Sequence, residues 1–198
     1  MIEHFWGTPI EIVNLRPAFD NFEAATKSMI AAIPKIVDYN RTNIWDIPEF
    51  FTLRDAIKKE VDRFAFESGV GDGFYFYDGY VNSYNKGMEN SPHNHPGVKG
   101  LAVYVIDAPE DSGDLLLHDP RGPVDWEDNS ELTTRGVIAS SRKFMRVPPI
   151  PGLLLLCPAY VIHSVETNLS NNPNPRITIG IDLYSKQLVD YLATRTPK

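Results

Sequence analysis

The sequence predicts an α+β chain, mainly β, in which helices come first and a β core follows. Three observations predict it. Apolar residues recur at helical spacing in the first third of the chain. Beyond Gly69 the pattern changes to short alternating or continuous apolar runs. Those runs are punctuated by Gly, Pro, Asn and Asp, and most of the 13 glycines and 16 prolines fall after residue 68.

The elements follow in order. From Ala18 to Ile33, Phe19, Phe22, Met29, Ile30 and Ile33 share one helical face, and Pro34 ends the pattern. From Glu49 to Phe66, Phe50, Leu53, Ile57, Val61 and Phe64 keep an i, i+3, i+4 rhythm. Pro48 stands where a first helical turn tolerates it, and Gly69 follows the end. Phe74–Tyr84, Gly100–Ile106, Leu115–Leu117, Leu153–Cys157, Tyr160–Val165 and Arg176–Tyr184 then read as strands, which argues for a sandwich or a barrel. The helical part spans about 15–68 and the β core about 74–184. With 198 residues, 42% hydrophobic and 23% charged, positions 1–198 read as a single domain. The stretch Arg121–Pro149, with Trp126, is charged and lacks periodicity, which suits either a binding loop or a solvated insertion.

Charge and cysteine content narrow the function classes. Nineteen Lys and Arg against 26 Asp and Glu leave a net charge of −7, which argues against a nucleic-acid partner. The single cysteine, Cys157, permits no internal disulfide and fits a reducing, cytoplasmic setting. It sits in a leucine run and reads as a small buried hydrophobe rather than a nucleophile. Met1–Gly7 has no basic patch followed by an apolar run, and Leu153–Cys157 is too short to cross a bilayer. There is no Gly-x-Ser-x-Gly elbow, and Gly69–Gly73 lacks the helix and Lys of a phosphate loop.

The five histidines, His4, His93, His95, His118 and His163, carry the chemistry. In an extended segment, residues i and i+2 point to the same side, so His93 and His95 can converge on one ion. Two surface histidines in a loop bounded by Pro92 and Pro96 would have the same spacing. His163, in a β-type segment, offers the distant third ligand of an open transition-metal site, although a satisfied strand histidine is the commoner occurrence. His4 reads as surface, and His118 as a neighbour of the ligands.

Arg176–Leu183 alternates, with Ile177, Ile179, Ile181 and Leu183 on one face and Arg176, Thr178, Gly180 and Asp182 on the other. Arg176 and Thr178 side by side can hold a carboxylate, by a guanidinium fork and a hydroxyl. A solvent-facing strand would alternate in the same way.

Between Tyr80 and Leu183, half of the chain, these pieces form an ordered set. It runs Asn85-Lys86-Gly87, His93-Asn94-His95-Pro96, Gly113-Asp114-Leu115, Asp119-Pro120-Arg121, Pro149–Gly152, His163 and Arg176-Ile177-Thr178. The set resembles the iron(II)- and 2-oxoglutarate-dependent oxygenases, and is most similar to their small bacterial and phage group. The resemblance implies a double-stranded β-helix (jelly-roll) core with the N-terminal helices packed on one face. It implies Fe(II) at His93, His95 and His163, and 2-oxoglutarate as cosubstrate. Arg176 and Thr178 would take its far carboxylate, with Tyr84 and Asn82 also in contact. It further implies hydroxylation of an unidentified substrate with release of succinate and carbon dioxide, under a lid formed by 121–149; the acidic composition disfavours polyanions and leaves a peptide, an amino acid or another small molecule as the substrate.

One departure stands out. The superfamily motif is His-x-Asp or His-x-Glu, whereas position 95 is His, so the shell would be three neutral imidazoles. Such a shell carries one negative charge fewer, weakens Fe(II) retention and could admit Zn(II). Asp119 is the best alternative ligand, ahead of Glu89 and Asp107. A cupin-type three-His dioxygenase or isomerase is one rival. Gly87 stands correctly before the His pair, but Lys99 and Gly100 occupy the place of the cupin Glu, and Pro158-Ala159-Tyr160 lacks the second motif's Pro-x-Gly. A non-catalytic jelly-roll binding module is the other.

Overall fold

The structure, a computed structural model, describes residues 2–5, 7–33, 44–69, 74–120 and 144–194. Arg121, Trp126 and most of the expected lid lie outside the described residues, as does Pro34. In chain order, β1 (Ile2–Phe5) and β2 (Thr8–Asn14) precede helices α1 (Phe22–Ala32) and α2 (Phe51–Glu67). The core strands are β3 (Phe74–Tyr84), β4 (Asn90–His93), β5 (Gly100–Asp107) and β6 (Leu115–His118). They are followed by β7 (Phe144–Val147), β8 (Leu153–Pro158), β9 (His163–Val165) and β10 (Arg176–Ser185), and helix α3 (Lys186–Ala193) comes last.

Two antiparallel sheets form the jelly-roll, one ordered β1-β2-β8-β5-β10-β3 and the other β4-β9-β6-β7. The alternation of side chains assigns each face of the larger sheet a different task. Ala102, Tyr104 and Ile106 of β5, Leu154 and Leu156 of β8, and the Ile177–Leu183 face of β10 pack outward. They meet Met29 of α1 and Leu53, Ile57, Val61 and Phe64 of α2. The opposite face meets the smaller sheet, where Ile10, Leu101, Leu155 and Cys157 pack on Leu115, Leu117, Met145 and Val165. Covering on both faces is why β5 and β8 read as continuous apolar runs rather than alternating ones. Strand β10 still alternates, because part of its inner face lines a polar site. The helices therefore cover one face of the β core, as the sequence predicts.

Local chemistry sets the boundaries. Helix α1 begins four residues later than the apolar pattern, because Asn21 caps it by accepting a hydrogen bond from the Ala24 amide at 3.0 Å. A 3-10 turn at Pro48–Phe50 leads into α2, whose buried Leu53, Ile57, Val61 and Phe64 side chains each contribute about 1.5–3 kcal/mol relative to exposure. The expected strand Tyr160–Val165 is half turn. Val161 N–H bonds the Pro158 carbonyl at 3.1 Å, and only His163–Val165 joins the sheet. Strands β1, β2, β4 and β7 and helix α3 are additions to the sequence reading. In β2 the pattern is disguised by Glu11, which is buried facing the helices and paired with Arg63 of α2.

Candidate active site

Strand pairing brings the distant histidines together. Strands β4 and β9 run antiparallel with His93 directly opposite His163. His95 lies two residues past the end of β4, where its amide donates to the Ala159 carbonyl at 3.2 Å. One ring nitrogen from each of His93, His95 and His163 lies within 4.8 Å of the others. Ring centroids are 4.3 Å apart for His93 and His163, 5.1 Å for His95 and His163, and 5.3 Å for His93 and His95.

Each ring is held through Nδ1. His93 Nδ1 lies 2.7 Å from the Ser91 carbonyl, and His163 Nδ1 lies 3.1 Å from the Val161 carbonyl. A carbonyl only accepts, so both Nδ1 atoms carry the hydrogen and both Nε2 atoms keep a lone pair. His95 Nδ1 donates to Asp182 Oδ1 at 2.6 Å, which gives it the same tautomer. His163 is 4% exposed, and burial pushes its pKa down to about 4, with the neighbouring imidazoles acting in the same direction. It is therefore the neutral, metal-binding form at neutral pH. Three imidazoles offering Nε2 at this spacing fit a divalent first-row ion.

The inner face of β10 and its partner β3 form the adjoining wall. Arg176 pairs with Tyr84, Thr178 with Asn82, and Gly180 with Tyr80. All six line the same cavity as the three histidines. Gly180 leaves room there for the end of the Tyr80 ring, which a Cβ would overlap and which stacks on His95 at 6.5 Å and 15°. Burial, helped by the Asp182 charge, pushes the Tyr80 phenol up, so it stays protonated.

Arg176 is the least ordinary residue of the site. It is 1% exposed, yet among the described residues no carboxylate forms an ion pair with it. Nη1 donates to the Gly113 carbonyl at 2.7 Å, the Tyr84 ring centroid lies 5.7 Å from Cζ, and Nε has no partner. Gly113 has φ of 84°, and a Cβ there would run into the Glu166 carbonyl. Only glycine turns the chain to present that acceptor. Burial pushes the Arg176 pKa down, the sign of a cation short of counter-charge. The cavity thus joins three metal-capable nitrogens to a buried, half-satisfied guanidinium, an arrangement suited to a dianion that chelates a metal at one end.

The other sequence candidates lie elsewhere. Asp119 is buried just past β6 but is not in the group of converging ligand atoms. Glu89 accepts from the Thr167 hydroxyl at 2.5 Å, and Asp107 from the Ala108 amide at 2.9 Å. His118 Nε2 is 3.0 Å from Ser164 Oγ, one residue along from His163. Cys157 is buried between the sheets, and burial pushes its thiol up to about 12. Sequence reasoning placed Asp182 on the Arg176 face without giving it a task, and it passed over Tyr80. The period-two spacing of Arg176, Thr178, Gly180 and Asp182 was the available signal. The larger groove beside Pro148–Pro151 carries Glu110, Asp111 and Glu166 and none of the histidines. No helix among the described residues is long and apolar enough to cross a membrane.

Comparison with curated protein sequences finds no match. Among solved structures, the chain is similar to a Pseudomonas putida prolyl-4-hydroxylase, with 14% identity and a TM-score of 0.59 over 89% of this chain and 88% of that one. It is similar to the epimerase SnoN in complex with Fe3+, alpha-ketoglutarate and nogalamycin RO, with 14% identity and a TM-score of 0.59 over 89% and 78%. It is also similar to a Trichoplax adhaerens prolyl hydroxylase holding a hypoxia-inducible-factor peptide, with 12% identity and a TM-score of 0.58 over 95% and 87%. At these identities the likeness shows the jelly-roll fold. The family model described as "Putative 2OG-Fe(II) oxygenase" matches residues 79–182, a span that contains the three histidines, Arg176 and Thr178. With more than half of its length matched by that model, the chain belongs to the 2OG-Fe(II) oxygenase family, whose metal is Fe(II) and whose cosubstrate is 2-oxoglutarate.

Proposed function

We propose that the chain is a 2-oxoglutarate-dependent hydroxylase acting on a small molecule or a peptide. His93, His95 and His163 hold Fe(II) through Nε2. Arg176 takes the far carboxylate of the cosubstrate, Thr178 donates its hydroxyl to it, and Asn82 and Tyr84 border the same end. The observation that carries this reading is the buried guanidinium of Arg176, which forms no ion pair among the described residues and shares one cavity with the three imidazoles. When bound, Fe(II) and 2-oxoglutarate would let dioxygen serve as the oxidant: one oxygen atom enters succinate as the cosubstrate loses carbon dioxide, and the other enters a C–H bond as a hydroxyl.

The protein's own residues orient and seal. Tyr80 packs over Gly180 and against His95, which closes the cavity on the β3 side. The solved relatives include one that holds a peptide and one that holds nogalamycin RO, which supports both substrate classes. The net charge of −7 disfavours nucleic acid, and the buried lone cysteine suits the cytoplasm.

The test uses untagged protein loaded anaerobically with Fe(II) and titrated with 2-oxoglutarate, followed by an oxygen-dependent succinate assay on peptide and amino-acid pools. One metal per chain, micromolar cosubstrate binding and metal-dependent succinate are expected. A metal-loaded protein that ignores 2-oxoglutarate would overturn the reading.

A further inference from the structure

Two of the three metal-site histidines are held by local devices. His93 and His163 each donate Nδ1–H to the carbonyl two residues earlier in their own segment. His95 is held differently. It lies outside any strand, just before Pro96 and Gly97, and its Nδ1 is bound by a carboxylate 87 residues away. That carboxylate, Asp182, belongs to β10, the strand that also presents Arg176 and Thr178 on the same inward face. The 2.6 Å separation is in the range of a short charge-assisted hydrogen bond.

We propose that Asp182 is a positioning residue for the metal centre: it orients His95 and supplies, from behind that ligand, the negative charge that a three-imidazole shell lacks. The proposal rests on the three-histidine reading given above. Asp182 is not among the ligand atoms that converge, so it acts through His95 rather than on the ion. A carboxylate accepting Nδ1–H fixes the tautomer and raises the basicity of Nε2, and losing such a partner typically weakens metal binding about 10–100-fold. Where related enzymes place the carboxylate on the metal, this chain places a third imidazole there and carries the charge one residue further out. The same placement ties a metal ligand and the carboxylate clamp to one strand, so a shift of β10 moves both.

The experiment compares wild type, Asp182→Asn and Asp182→Ala, with His163→Ala as the control for the site itself. Anaerobic Fe(II) and Co(II) affinities and the Fe(III)/Fe(II) potential are measured, and thermal melting of the metal-free forms checks folding. Asp182→Asn keeps an oxygen that can accept from Nδ1–H but removes the charge. It is expected to weaken metal binding about tenfold and to raise the potential, since lost negative charge disfavours Fe(III). Asp182→Ala, losing orientation as well, is expected to approach a hundredfold weakening and to alter the Co(II) ligand-field spectrum. A purely structural Asp182 would move the melting temperature and leave the potential where it was, and that result overturns the proposal. Should Asp182→Ala not fold, Asp182→Asn alone decides. Metal binding that survives His163→Ala would instead overturn the three-histidine reading, and the proposal with it.

Discussion

Replacing Arg176 by methionine separates what the residue does for the fold from what it does for the cosubstrate. In the metal-free protein the change removes one charged hydrogen bond, from Nη1 to the Gly113 carbonyl, worth about 1.5–3 kcal/mol. It also removes a buried cation that forms no ion pair among the described residues and an Nε with no acceptor, whose desolvation costs at least as much. Methionine has similar length and fills the space beside Tyr84. The two sides nearly cancel, so urea unfolding of metal-free Arg176→Met should show a stability within about 1–2 kcal/mol of wild type. Cosubstrate binding has no such compensation. Two charge-assisted bonds to a carboxylate, at about 1.5–3 kcal/mol each, predict a loss of about 10²–10⁴-fold in 2-oxoglutarate affinity. Calorimetry of the Mn(II)-loaded protein measures it. A variant that unfolds readily yet binds the cosubstrate within threefold of wild type would refute both halves of the reasoning.

Other outcomes follow from the same geometry. Gly180→Ala should cost about 1–3 kcal/mol in chemical denaturation and displace Tyr80 from His95, because the added methyl overlaps the tyrosine ring; no loss would mean that β10 yields there. Arg63→Met should destabilise the protein by about 3–5 kcal/mol by leaving the Glu11 carboxylate buried without its cation, and the double variant with Glu11→Leu should recover most of it. An unimproved double variant would show that packing, not charge, is at stake. Asn21→Ala should cost about 1 kcal/mol by uncapping α1, read as a lower denaturation midpoint. Cys157 should ignore a thiol reagent in the native protein and react once unfolded, since burial holds it as a neutral thiol; rapid native labelling would contradict its place between the sheets.

Particular residues show how much was legible. The heptad-like face of Leu53, Ile57, Val61 and Phe64 made α2 readable, because helical periodicity is a property of neighbours in sequence. The runs in β5 and β8 were readable as strands, but not which of their residues met helices and which met the second sheet. Strand β2 was missed because Glu11 breaks its apolar pattern, and only the ion pair to Arg63 makes that residue acceptable inside. Strand β4 was missed because Pro92 and two polar residues hide four residues of pairing. The expected strand from Tyr160 was too long, since the Pro158 turn delays pairing until His163.

For the site, sequence by itself determined the donors. The His93-x-His95 spacing, the lone basic residue on an alternating strand and the place of His163 are local facts of side-chain chemistry and period two. Only the tertiary structure decided the register that sets His93 opposite His163, the closure that buries Arg176 with its Nε unpartnered, and the meeting of His95 with Asp182. The reason is physical. What a residue can donate is written in its own atoms, whereas the partner it reaches depends on how two sheets close around a shared core, a non-local balance of packing against chain entropy.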